Sequence, residues 1–103
     1  MLEIDGQLVD IARDELGLEL GDDLQAIIGD ARLALDDLEP GSYDLVIGDA
    51  FGGRSVPWHL TTTEVIAQID DLLRADGLYI MNVIDGGDSG YSRAQLATLA
   101  EHF

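Results

Sequence analysis

Short apolar runs that break off at glycine and aspartate alternate along this chain with stretches whose apolar residues recur at helical spacing. An apolar run with no polar alternate has to be covered on both faces, as the strands of a parallel sheet are. Parallel neighbours in turn need a crossover between them. The clearest run lies in Tyr43 to Leu60, YDLVIGDAFGGRSVPWHL. Leu45, Val46 and Ile47 read as a buried strand, and Gly48-Asp49, Gly52-Gly53 and Pro57 then read as a loop. A carboxylate at the carboxyl end of a buried strand, opening a glycine-rich loop, stands where open α/β sheets bind ligands. An Asp there also serves simply to cap the loop backbone.

Met1 to Ile4 reads as the tail of a strand, which Asp5-Gly6 turns into a helix. Leu8, Ile11, Ala12 and Leu16 are its apolar side, Asp10, Arg13, Asp14 and Glu15 its wet side, and Gly17 its end. Leu24 to Ile28 is a second strand, closed by Gly29-Asp30. A short helix over Ala31 to Leu38 ends at Pro40-Gly41. After the third strand and its loop, Thr61 and Glu64 have capping-box spacing. Val65, Ile66, Ile69, Leu72 and Leu73 form one apolar stripe that stops near Asp76-Gly77. Leu78 to Ile84 is a fourth strand, ended by Asp85-Gly86-Gly87-Asp88. Ser92 with Gln95 fits another capping box, and Leu96, Leu99, Ala100 and Phe103 continue at helical spacing. This order argues for right-handed crossovers and a Rossmann-like, doubly wound, mostly parallel sheet. The chain starts inside a strand and stops inside a helix, so residues 1–103 are expected to be part of a larger catalytic domain.

The 103 residues suit one small unit, and 47% hydrophobic content suits a packed core. The basic residues number 5, all arginine, against 21 acidic ones, for a net charge of −16. That surface repels phosphate backbones and anionic lipid, which argues against nucleic-acid binding. It would attract a cation, although a solvated acidic face is the simpler account. Without cysteine there is no disulfide and no thiolate metal site. No run reaches the length of a membrane span and the first residues do not form a signal peptide, so no membrane contact and a cytoplasmic location are expected. Asp85 to Gly90, DGGDSG, does not match calcium-loop spacing and reads as a turn. His59 reads as a loop hydrogen-bonding residue, and Trp58 and Phe51 as anchors of the loop on the sheet. Tyr79 and Met81 read as core, and the role of Asn82 at the strand end is left open.

Glu3 (with Asp5 behind it), Asp30, Asp49 and Asp85 all stand at or near strand ends, and a parallel sheet gathers those ends along one edge. A carboxylate there accepts both hydroxyls of a ribose. Each acid alone is as well explained as a cap; the set in this order favours a nucleoside site. Glu3-Ile4-Asp5 before a helix, Gly29-Asp30-Ala31-Arg32, and Tyr43-Asp44-Leu45-Val46-Ile47-Gly48-Asp49 resemble the spermidine synthase family. Ser55-Val56-Pro57 with His59-Leu60-Thr61-Thr62-Thr63-Glu64 is similar to the segment that follows the catalytic loop in spermidine synthase-like proteins. These are aminopropyltransferases on the class I S-adenosylmethionine-dependent methyltransferase fold. The resemblance covers nearly the whole chain but only the middle of the family's catalytic domain.

The resemblance implies that Glu3 holds the ribose hydroxyls and Asp30 accepts from the adenine amino group. It also implies that Ala31 lends a backbone contact, and that Asp49 orients and deprotonates the attacking amine. Decarboxylated S-adenosylmethionine would be the co-substrate and a small-molecule amine the acceptor, with no covalently bound cofactor and no metal. One departure is that Ala50-Phe51-Gly52-Gly53 supplies no second acid after Asp49 to hold a diamine. A different amine, methyl transfer from S-adenosylmethionine, and a nucleoside-binding or assembly domain without turnover all stay open, as does a homo-oligomer. Another departure is that the family's glycine-rich first strand, which lies between the strands ending at Glu3 and Asp49, has no counterpart. Neither do its C-terminal strands. The sheet is therefore expected to be incomplete, and the isolated chain to be inactive and poorly folded or associating. A sharp two-state melt of a monodisperse monomer would contradict that expectation.

Overall fold

The structure, a computed structural model, describes residues 1–53 and 55–103. Its elements are β1 (Leu2–Glu3), α1 (Gly6–Leu16), β2 (Ile27–Ile28), α2 (Ala31–Leu35), β3 (Tyr43–Gly48), a 3-10 turn (Trp58–Leu60), α3 (Thr63–Leu72), β4 (Leu73–Met81) and α4 (Gly90–Leu99). The alternation of strand and helix is present, and every ladder is parallel: β1 with β2, and β3 with β4. These are two separate two-stranded sheets, so the α/β sheet is incomplete. The chain divides into a unit of Met1–Asp37 and a unit of Leu38–Phe103.

In the first unit, Asp5 accepts from the Gln7 backbone at 3.0 Å and starts α1. Gly17, in the left-handed region at φ 74°, ends the helix with its N–H on the Ala12 carbonyl. The ladder sets Leu2 against Ile27 and Glu3 against Ile28, and Gly29 N–H extends it to the Glu3 carbonyl at 2.9 Å. The second strand is shorter than the run Leu24 to Ile28, because the Leu24 carbonyl accepts from Gly21 at 2.9 Å in a local turn. Likewise α2 stops at Leu35, where Asp37 N–H folds back to Ala34. The apolar stripe expected to be core in α1 is largely open: Val9 is buried, while Leu8, Ile11 and Leu16 are exposed. A hollow of about 270 Å³ lies there, lined by Met1, Glu3, Leu8, Val9, Ala12 and Leu18.

The second unit holds most of the core. Val65, Ile66, Ile69, Leu72 and Leu73 are all buried, as the helical stripe predicts. The capping box at Thr61 and Glu64 does not form. Thr62 is the N-cap, and the Thr61 hydroxyl instead donates to the Trp58 carbonyl at 2.9 Å. Helix α3 passes straight into β4 at Leu73 rather than pausing at Asp76-Gly77. Its last carbonyls, Asp71 and Leu72, accept from Gly41 and Ser42 at 2.9 and 3.0 Å, and so draw the chain into the ladder early. The register then breaks between Tyr43 and Leu45 and resumes as Leu45 opposite Leu78, Ile47 opposite Ile80 and Gly48 opposite Met81.

Helix α4 begins at Gly90 behind Ser89, whose φ is 53°, and not at Ser92. Tyr91, Gln95 and Thr98 lie on its covered i, i+4, i+7 face, while Leu96 on the helix and Phe103 beyond its end are exposed. On the β3–β4 sheet, Leu45, Ile47, Leu78 and Ile80 share one face and are 45, 63, 63 and 53% exposed. Val46, Gly48, Tyr79 and Met81 share the other and are half-buried.

Gly48 is needed for a close approach, because a Cβ there would stand 2.5 Å from the Tyr79 hydroxyl oxygen. Gly48→Ala therefore displaces Tyr79 and is expected to cost about 1–3 kcal/mol of stability in a urea melt.

Candidate active site

The strand-end acids can be sorted by what their carboxylates hold. In the first unit, Glu3 Oε1 accepts the Asp5 backbone N–H at 2.9 Å, and Asp5 in turn caps α1. Asp30 Oδ1 accepts the Arg32 backbone N–H at 2.8 Å and caps α2, whose first residue is Ala31. Glu3 and Asp30 thus stand at the carboxyl ends of adjacent parallel strands, on one edge of the β1–β2 sheet. Gly29, with φ 151°, turns the chain between β2 and Asp30. The capping role that the sequence leaves open for Asp30 is present in full. Asp30→Ala should cost about 1 kcal/mol by loss of the cap alone, measured by denaturant melting.

In the second unit, Asp85 is a structural anchor. Its two oxygens accept the Gly86 and Ser92 backbone N–H groups, each at 2.6 Å. Hydrogen bonds from Ser92, its side chain foremost, hold the Asp85 carboxyl below the usual carboxylate range. Asp88 Oδ1 accepts from Gly90 at 3.3 Å, so DGGDSG is the turn its composition suggests. The Ser92–Gln95 capping box is replaced by Asp85, and Gln95 is buried within α4 instead. Because the folded pKa of Asp85 is depressed, its contribution to stability is present above the unfolded value near ~3.9. It is lost as pH falls through the lower folded value. Acid titration of Asp85→Asn should lack this component, giving a shallower loss of stability below about pH 4 than the parent shows.

Asp49 differs from the other three. It follows β3 directly, and Oδ1 accepts the side-chain Nδ2 of Asn82 at 2.7 Å. Its partner is a side chain from the end of the neighbouring strand, not the backbone of a helix it begins. The loop beyond Asp49 closes through a Gly52–Ser55 bridge, with the Gly52 N–H on the Ser55 carbonyl at 2.9 Å and Gly53 at φ 78°. Phe51 is half-buried, but Trp58 is 79% exposed and does not anchor the loop as expected. Its ring meets His59 edge-on at 5.9 Å. Burial pushes the Tyr79 and Tyr91 hydroxyls up, with the Asp85 charge adding to the shift of Tyr91. Among the described residues, no group of three or more His, Asp or Glu side chains comes together as a metal ion requires.

The Asn82–Asp49 contact was undecided from the sequence, yet the signal for it is strand period. Once Ile47 is level with Ile80, two further residues along each strand bring Asp49 level with Asn82.

No protein-family profile matches the chain. A curated polyamine aminopropyltransferase of Vibrio vulnificus (strain CMCP6) is 30% identical over 84 residues, 80% of this chain and 28% of the relative. The crystal structure of a probable spermidine synthase from Corynebacterium glutamicum ATCC 13032 matches with a TM-score of 0.91 and 28% identity. That match covers 99% of this chain and 37% of the other. The chain therefore spans about 28% of the length of the curated relative and 37% of the structural one.

Proposed function

Starting from a chain that is, by sequence and by fold, a relative of part of the spermidine synthase family, we propose that it carries donor-binding and base residues of an aminopropyltransferase. The reaction moves an aminopropyl group from decarboxylated S-adenosylmethionine to an amine, in polyamine biosynthesis. The amine nitrogen attacks the propyl carbon next to the sulfonium. A C–N bond forms as the C–S bond breaks, and the electron pair of the broken bond stays on sulfur, leaving neutral methylthioadenosine. An alkylamine of pKa ~10 is mostly protonated and cannot attack until it has lost a proton. Asp49 accepts that proton and stabilises the cation forming on nitrogen. Glu3 holds the ribose hydroxyls, Asp30 accepts from the adenine amino group, and Ala31 adds a backbone contact.

The observation that carries this reading is the Asp49 carboxylate, held by the Asn82 side chain, whereas Asp5 and Asp30 cap helices and Asp85 accepts the Gly86 and Ser92 backbone N–H groups. A cytoplasmic setting belongs to the same proposal and rests on the kinship. Among the described residues no helix is long and apolar enough to cross a membrane.

The test supplies the native protein with decarboxylated S-adenosylmethionine and a broad panel of amines. Methylthioadenosine and an aminopropylated amine are expected. Release of S-adenosylhomocysteine from S-adenosylmethionine would replace this reading with methyl transfer. Binding of methylthioadenosine without either product would replace it with a nucleoside-binding domain.

A further inference from the structure

Asn82 stands just past the end of β4, and its backbone N–H still donates to the Gly48 carbonyl at 2.9 Å. This bond closes the pairing of Gly48 with Met81, and Asp49 and Asn82 are the next residues on the two chains as they leave the sheet. The side-chain bond of 2.7 Å joins a charged acceptor to a neutral amide donor. Ala50, Phe51, Gly52 and Gly53 add no polar side chain along the loop that follows Asp49. Among the described residues, the Asn82 side chain is thus placed to fix the orientation of this carboxylate.

We propose that Asn82 is a positioning residue for the transfer, an inference that rests on the reading of Asp49 as the base. An aspartate on a loop has two side-chain torsions to restrain. A bond from Asn82 to one carboxylate oxygen restrains both, and leaves the second oxygen as the one that meets the acceptor amine. The backbone bond to Gly48 makes the clamp stiff, because the amide and the carboxylate are carried by adjacent, hydrogen-bonded chain ends. A neutral amide suits this role. It donates to the anion without competing for the proton, whereas an acid at the same place would repel Asp49.

The experiment uses the native protein and measures kcat and KM separately for Asn82→Ala, Asn82→Gln and Asn82→Asp, beside Asp49→Asn. Asn82→Ala should lower kcat about 10- to 100-fold with KM for the decarboxylated donor nearly unchanged. Asn82→Gln, which keeps the amide, should recover part of that loss. Asn82→Asp, which keeps the size and reverses the interaction, should lose at least as much as the alanine variant. It decides the matter if the alanine variant fails to fold. A readout independent of turnover is the Asn82 side-chain amide in an NMR spectrum, where slowed proton exchange should disappear in Asp49→Ala. Full kcat in Asn82→Ala or Asn82→Asp while Asp49→Asn is inactive would overturn the inference and leave the base assignment standing. Full turnover in Asp49→Asn would instead overturn the base assignment, and the positioning role with it.

Discussion

Asp49→Asn in the native protein should lower turnover by about 10²- to 10⁴-fold while affinity for methylthioadenosine changes little. The substitution isolates one property. Asparagine has the shape of aspartate, and its side-chain carbonyl still accepts from Asn82 Nδ2, the partner now 2.7 Å away. The hydrogen-bonded link to the end of β4 therefore survives. What is lost is the negative charge and the capacity to take a proton from the amine. Single-turnover measurements with saturating donor separate this loss from slow product release. A variant that keeps full activity would remove Asp49 from the chemistry, and the strand-end carboxylate would then be a loop residue only.

The largest expected effect on stability belongs to Ile66→Ala. Ile66 is 0% exposed, in the middle of the α3 stripe formed with Val65, Ile69 and Leu72. Truncation removes three carbons from a site that the surrounding side chains refill only in part, for a cost of about 2–5 kcal/mol. Ile66→Val should cost about 0.5–1.5 kcal/mol at the same position. Against the total stability of about 5–15 kcal/mol typical of native proteins, the alanine variant is near the limit of folding. Urea titration of the pair checks both magnitudes. A cost below about 1 kcal/mol for the alanine variant would mean that α3 is not the centre of the core.

Much of the architecture was legible because it depends on short-range pattern. The interval of three and four residues in Val65, Ile66, Ile69 and Leu72 marks the buried face of α3, and those residues are buried. Asp5 and Gly17 mark both ends of α1 through local backbone bonds, as expected. The same reasoning failed where a residue outside the helix took over. The Ser92–Gln95 box gave way to Asp85, and the Thr61 hydroxyl turned back to Trp58. It failed again where periodicity named a stripe but not its cover, so that Leu8 and Ile11 in α1 and Leu96 in α4 are exposed.

The sequence by itself determined the order of the elements and the parallel strand–helix plan, since these follow from neighbours within a few positions, whereas the fourth strand, expected to run to Ile84 before Asp85, ends at Met81 with Asn82 next. Only the tertiary structure decided which of the candidate acids are engaged by nearby residues of their own segment and which is met by a side chain from the end of another strand. Asp30 and Asp85 are occupied locally, within two and seven residues. Asp49 is met by Asn82 from a separation of 33. A bond across that distance exists only once β3 and β4 have chosen their register, and the irregularity between Tyr43 and Leu45 is part of that choice. Register is a property of two strands together, so neither strand alone contains it.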